Sequence, residues 1–464
     1  MSRLGLTVAM ACIACVRYEP LPLDPALHPS EIRRRDLADT ALVARVARYA
    51  GQPRGNHWTA DQLAVAALSL RADLRRLRAE WRAARAGLRT AGERPAPGAQ
   101  ADLERRVAGR EDGSPWVVAV GGLFALELGG KRGARLQTAR AALALAEARL
   151  VSGAWEAAVQ TRRAATALMH ASAEVEETRE EVRLLEVVHG LERDRFAEAA
   201  LGASEVARTS TEIQAARLDL AEAGHTVLES RAALAATLAV PVRAVEEIEP
   251  DLGAPDGCAS LDAAGSDSLI AGALVRRYEV SQALGEYALA ESRLRLQVAR
   301  QYPDLELGPG FIWDQGVNRW TLGLALPALL GSRNRGPIRE AEAAREVAGL
   351  RVAEVQDSVL ADLELMMQRC RGAALELVAA DSVVASAARL VERDRAAYRR
   401  GETSRLEPAR AELQLLRAER ARRRARRGLV LASLELERAA GAGTKVTRAW
   451  PDPRQDPEEE ASPQ

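Results

Sequence analysis

The chain has 464 residues, room for two or three ordinary domains, and is dominated by Arg, Ala, Leu and Glu, with aromatics at only 3%; such compositions make long helices. Its 65 basic side chains balance 65 acidic ones, so no whole-chain field draws it to nucleic acid or an anionic surface, and no nucleic-acid partner is expected. His28, His57, His170, His189 and His225 are scattered without metal-site spacing, and no phosphate loop, nucleophile elbow or triad is present, which argues against an enzyme and against any metal or cofactor.

Residues 1–15 read as a short export signal: Arg3 precedes an apolar run from Leu4 to Ala14 that is too short to anchor a helix across a bilayer. Its end, Cys12-Ile13-Ala14-Cys15, resembles the lipobox of bacterial lipoproteins, which makes Cys15 the lipid anchor; Cys12 stands where that motif prefers Leu. An ordinary signal with incidental cysteines is the alternative. Downstream only Cys258 and Cys370 remain, too few for a disulfide framework. Residues 16–57 begin with Pro20, Pro22, Pro25 and Pro29 and predict an extended stalk.

A first repeat follows over residues 58–240. Its pattern predicts a helix from Thr59 to Thr90, a strand near 99–110 and a second strand over 116–128, where Trp116, Val118, Val120, Phe124 and Leu126 alternate with small residues. Arg105, Arg106 and Arg110 make the first of these strands a poor lipid-facing surface. The breakers Gly129 and Gly130 then launch a helix of about 60 residues, or about 90 Å, with Leu136, Leu143 and Leu150 seven apart and apolar surface on two sides. A turn at Gly202 and Ser204 returns the chain along another helix to Leu238.

After a linker rich in Asp, Gly, Pro and Ser (residues 241–268), the pattern repeats over residues 269–441. Glu192-Arg193-Asp194-Arg195 returns as Glu392-Arg393-Asp394-Arg395, 200 residues on, each followed by an aromatic (Phe196, Tyr398) and a Gly-Ser turn (Gly202 and Ser204, Gly401 and Ser404). Between them, residues 302–337 spell a hairpin. Leu305, Leu307, Pro309, Phe311 and Trp313 share one face of the outgoing strand, and Trp320, Leu322, Leu324 and Leu326 one face of the return. Each strand is long enough to cross a bilayer when tilted, and Trp116, Phe311, Trp313 and Trp320 fall where an interfacial girdle wants them. Ser404-Arg405-Leu406-Glu407 fits a capping box. Seven arginines between Arg417 and Arg427 read as a solvated helical face, and Met366, Met367 and Cys370 as core. Residues 442–464 form an acidic tail with the composition of disorder.

The expected fold is therefore mainly α with a small β part, a duplicated helix-strand-strand-long helix-long helix unit. Four strands cannot close a membrane barrel, whereas three copies supply twelve. The words Tyr302-Pro303-Asp304-Leu305, Arg333-Asn334-Arg335-Gly336-Pro337-Ile338 and Tyr398-Arg399-Arg400-Gly401-Glu402-Thr403-Ser404, set in this duplication, resemble the TolC-like outer-membrane efflux family. The resemblance implies a homotrimer in outer-membrane lipid, a twelve-stranded β-barrel continued by a periplasmic helical tunnel, and partners in a periplasmic adaptor and an inner-membrane pump of RND type. Leu128-Gly129-Gly130-Lys131-Arg132 is similar to the branch serving heavy-metal pumps. The resemblance also places the adaptor-facing tips at Gly202, Ser204, Gly401 and Ser404, and the pore constriction at Glu407 and Arg410, where known members have two acidic residues. The rival reading is a lipid-anchored coiled-coil scaffold or adaptor that stays out of the membrane.

Overall fold

The computed structural model describes residues 18–105, 107, 114–251, 258, 266–314, 316–325 and 334–441. The signal segment with Cys12 and Cys15, Arg106, Arg110, Leu326, Arg333, most of the linker and the tail lie outside the described residues.

In chain order, α1 (Leu27–Arg34) and α2 (Thr40–Ala50) lead into β1 (His57–Thr59), α3 (Ala60–Leu70) and α4 (Ala72–Gly92). β2 (Gly98–Arg105) and β3 (Trp116–Leu126) precede the helical hairpin of α5 (Lys131–Ala197) and α6 (Ala203–Leu238). β4 (Glu249–Asp251) pairs in parallel with β1. The second repeat then gives α7 (Ser266–Arg276), α8 (Tyr278–Ala299), β5 (Leu305–Asp314), β6 (Val317–Ala325), α9 (Arg335–Arg399) and α10 (Leu406–Ala439). At 67 and 65 residues, α5 and α9 each extend roughly 100 Å.

Two N-terminal expectations are corrected. The stalk is extended only at its start; from Leu27 it is helical, because Asp39 accepts hydrogen bonds from the amides of Ala41 and Leu42 and Leu42 and Val46 bury one face of α2. The helix expected over 59–90 breaks at Arg71, whose backbone is extended. Its guanidinium bridges Asp73, Gln160 on α5 and the carbonyl of Thr237 at the end of α6. Arg277 does the same in the second repeat, bridging Glu279, Asp362 on α9 and the carbonyl of Ala439 at the end of α10. Gln160 and Asp362, like Thr237 and Ala439, are 202 residues apart. The structural repeat is therefore 202, and the Glu-Arg-Asp-Arg words at 200 sit two positions out of register: Glu192 is buried, whereas Glu392 is exposed and pairs only within its own helix.

Three apolar clusters hold the helices. One packs α2, α3 and α4 against α5 and α6, the second packs α7 and α8 against α9 and α10, and the third joins Leu185 and Val188 of α5 and Ile213 of α6 to Leu406 and Leu413 of α10. The repeats also meet where the Trp155 and Tyr278 rings lie 5.6 Å apart. Two cysteines are too few for a framework yet enough for one tie: Cys258, from the chain between the repeats, is disulfide-bonded to Cys370 on α9.

The passage from sheet to helix explains the motif residues around it. Gly129 and Gly130 (φ 69° and 73°) and Asn334 (φ 57°) take the left-handed conformation that turns a strand into α5 and α9. Lys131 reaches Asp304 at 2.7 Å, and the Tyr302 ring lies on Gly129, where an added Cβ would stand 2.5 Å from it. Gly130 has open space instead. Gly129→Ala is accordingly expected to cost about 2–3 kcal/mol and Gly130→Ala about 1 kcal/mol in thermal unfolding; equal losses would show that the Tyr302 contact carries nothing.

Candidate functional site

Three regions could carry function: the sheet, the tips and the contact between repeats. The sheet has the order β2-β3-β5-β6, all antiparallel. Opposed residues in such a ladder point the same way, so the register assigns each side chain to a face. One face carries Leu103, Val118, Val120, Phe124, Leu307, Phe311, Trp313, Trp320, Leu322 and Leu324 in facing pairs. Trp320 is 85% exposed and Leu322 and Leu324 are nearly as open, a band too large and continuous for a face left in water. Phe311 and Trp320 meet edge to face at 5.2 Å. The other face is mixed: Gly121 opposes Gly310, Gly308 opposes Gly323 and Asp314 pairs with Arg319, with Val117, Leu123, Ile312 and Val317 among them.

The register answers part of the objection to the first strand, with Arg106 and Arg110 outside the described residues. Asp102 and Glu104 fall on the mixed face, opposite Ala119 and Val117. Only Arg105 shares the apolar side, at the strand's end, with its guanidinium 5.5 Å from the Trp116 ring centre. Trp116, Phe311, Trp313 and Trp320 all lie toward this turn end of the sheet, and Tyr302 toward the other. No helix among the described residues is long and apolar enough to cross a membrane.

At the far end of the long helices, Ala199 (φ 57°) and Gly401 (φ 76°), 202 residues apart, take the left-handed turn. Gly202 therefore corresponds to Ser404, not to Gly401, and is not left-handed itself. Phe196 and Tyr398 are also 202 apart, and both rings are half exposed. Ser404 does not form the capping box. Its Oγ accepts from the amide of Leu406 at 3.3 Å and its carbonyl from the amide of Glu407, because α10 begins one residue later than the box requires. Glu407 is exposed and free to face solvent. Arg410, which also feels the Glu407 charge, reaches across the repeat boundary to lie 2.7 Å from buried Glu192 on α5 and 2.9 Å from Glu205 on α6. Burial alone would lower the Arg410 pKa, but the hydrogen bonds it donates to Glu192 and Glu205 raise it.

That contact opens a ladder that corrects the reading of the arginine cluster as a solvated face. Along antiparallel α5 and α10, Arg417 meets Glu181 at 2.8 Å, Arg420 meets Glu181, Glu174 and the Thr178 hydroxyl, Arg423 and Arg427 share Glu177, and Arg427 also meets Glu174. Arg163 with Glu435 and Arg162 with Glu437 complete it toward the sheet end. From Arg162 to Glu192 the seam runs about 45 Å along α5. The sequence carried the signal only as arginines and glutamates on two separate helices; nothing local pairs them.

Arg420 serves Glu174 and Glu181 at once, so Arg420→Ala leaves two largely covered carboxylates without it. A loss of about 3 kcal/mol in unfolding is expected, against about 0.5 kcal/mol for Arg422→Ala on the exposed side. Burial, with the Arg427 charge behind it, lowers the His170 pKa to about 4. Between pH 6.5 and 4 the unfolded chain takes up a proton there that the folded chain refuses, so stability is full above that window and falls as pH drops through it. Burial pushes the carboxyls of Glu174 and Glu435 up, but hydrogen bonds from Arg420 and Arg163 hold them below their ordinary values, adding a second loss below about pH 4.5. Unfolding midpoints against pH should show both phases, and His170→Gln should remove only the upper one.

Family models and curated proteins give no match to the chain. Solved structures do. The outer membrane protein VceC from Vibrio cholerae matches with TM-score 0.65 at 19% identity over 83% of this chain and 96% of its own. The outer-membrane channel OprN matches with TM-score 0.66 at 19% identity over 89% and 98%, and the Campylobacter jejuni CmeC outer membrane channel with TM-score 0.63 at 14% identity over 86% and 90%. Mostly helical with a small four-stranded sheet whose outer edges pair with no other described strand, this chain has the fold of the TolC-like outer-membrane channels.

Proposed function

We propose that the chain is the outer-membrane duct of a tripartite efflux system: a homotrimer whose twelve strands close a barrel in the outer membrane of a Gram-negative bacterium and whose helices continue it as a periplasmic tunnel. The observation that carries this reading is the sheet itself, an uncovered apolar face between two open edges at one end of helices roughly 100 Å long. In hydrocarbon each unpaired edge group costs several kcal/mol, and β2 of one copy beside β6 of the next removes that cost. Acylation at Cys15 would anchor the N-terminus beside the barrel. The half-exposed Phe196 and Tyr398 at the tips, with Gly202, Ser204, Gly401 and Ser404, suit a periplasmic adaptor, and through it an inner-membrane pump of RND type. Conduction is passive; the chain performs no catalysis.

A scaffold that stays outside the membrane would leave Trp320, Leu322 and Leu324 in water with no described element covering them. The tips are read as the gate. Arg410 is committed to Glu192 and Glu205, so it fastens α10 to the first repeat, and the exposed Glu407 alone supplies an anionic ring.

In planar bilayers the purified protein should conduct, and it should run as an SDS-resistant, heat-dissociable trimer; a monomer soluble without detergent would end the duct reading. Arg410→Ala should raise conductance several-fold by freeing α10. Glu407→Ala should weaken block by divalent cations and leave the open conductance unchanged; unaltered block would remove Glu407 from the gate and leave the duct standing.

A further inference from the structure

The two repeats cover their walls by different means. In the first, Leu37, Leu42 and Val46 at the N-terminus pack with Leu63, Leu68 and Leu168. In the second, the residue 202 positions after Leu168 is Cys370, 1% exposed among Leu363, Met366 and Met367. What lies over it is Cys258, partly buried in the same cluster, its sulfur joined to Cys370 and its amide donating to the Ser433 hydroxyl of α10 at 3.3 Å. A packed helix covers one wall; a covalent bond fastens the chain to the other.

We propose that Cys258 and Cys370 form a modification site for a thiol–disulfide oxidoreductase of the cell envelope, with Cys258 the residue that meets the enzyme. The Cα atoms stand 5.5 Å apart, in the ordinary disulfide range. The bond spans 112 residues, a long loop whose closure restricts the unfolded chain. A reducing cytosol would keep the pair as thiols. Within the folded wall only Cys258 has exposed surface, and that sets the order of exchange. Its thiolate attacks the oxidoreductase disulfide, a new S–S bond forms, and one enzyme thiolate leaves. The Cys370 thiolate then attacks the Cys258 sulfur, the mixed disulfide breaks, and the second enzyme thiolate leaves. Two electrons pass from the cysteine pair to the enzyme disulfide, and the two cysteine protons end on the two enzyme thiols.

The test uses the full chain exported to the envelope, alkylated on lysis and mapped by peptide mass. The peptides of Cys258 and Cys370 should be joined, lighter than their sum by two hydrogens, and separated by dithiothreitol. Both cysteines alkylated would overturn the site. With oxidised glutathione as the probe disulfide, Cys370→Ser should gain the glutathione adduct at Cys258 at least tenfold faster than Cys258→Ser gains it at Cys370; equal rates would overturn the assigned order. Should either variant fail to fold, acid-quenching the reduced wild type during oxidation reads the same order, since glutathione must appear first on Cys258. Dithiothreitol should lower the unfolding midpoint of the wild type and leave that of the Cys258→Ser/Cys370→Val double variant unmoved; an unmoved wild type would mean that the bond fastens nothing.

Discussion

The outer edges of β2 and β6 carry a row of backbone donors and acceptors that no other described strand satisfies, and the rest of the architecture follows from where those groups can find partners. Water would serve them, but the same sheet turns Phe311, Trp320, Leu322 and Leu324 to one side, and water is the wrong medium for that face. Hydrocarbon suits the face and forbids the edges. In the proposed duct a neighbouring copy reconciles the two demands. In that duct the face with the glycine pairs lines the interior, and those pairs let the sheet curve around it: a Cβ at Gly310 would stand 2.7 Å from the Thr321 hydroxyl.

Along the α5–α10 boundary the repeats are joined by charge more than by apolar contact. The third cluster, around Leu185, Ile213 and Leu413, is small, and the remaining length of the α5–α10 boundary is bridged by arginines and glutamates. Such a seam differs physically from a leucine seam. Each rung is directional, its carboxylates are partly desolvated, and some atoms, such as Oε2 of Glu177 and of Glu192, are buried without a partner. Separation returns those groups to water, so the net cost of parting is far below the sum of the contacts. A boundary of this kind can hold one arrangement and still be opened by a partner that offers comparable hydrogen bonds. The apolar seams within each hairpin cannot.

The alternation of Leu305 to Trp313 and of Trp320 to Leu324 named two strands and their apolar side directly, because a period of two is a local property. The long helices were as plain, since α5 and α9 lack interior breakers over most of their length. What local pattern could not give was pairing across elements. The arginines of α10 read as solvated because their glutamate partners in the first repeat lie more than 200 residues away. Cys258 and Cys370 looked too few to matter for the same reason. Arg105 and Glu104 looked alike as charges near a membrane until the β2–β3 register sent them to opposite faces. At the tips Gly202 is the conspicuous breaker in the sequence, while the left-handed residue equivalent to Gly401 is Ala199, a conformation that composition does not advertise.

Duplication explains the frame, and departures from it locate the specialised half. Arg71 and Arg277 make the same bridge, but Gln160, the partner of the first, is neutral, whereas Asp362, the partner of the second, is charged. Burial raises the Asp362 pKa, and Arg438 and Arg277 more than reverse it. Arg438 then passes the connection to Glu435, and Glu435 to Arg163 on α5. An arginine that only bridges elements of its own repeat in the first half thus becomes, in the second, the head of a chain of ion pairs leading across the boundary between repeats. The neutral version could not extend that way, since a glutamine offers no charge to draw Arg438 in. The second repeat is therefore tied to the first along the α5–α10 seam from Arg277 down to Arg410, and any movement of α10 at the tips must work against that whole line.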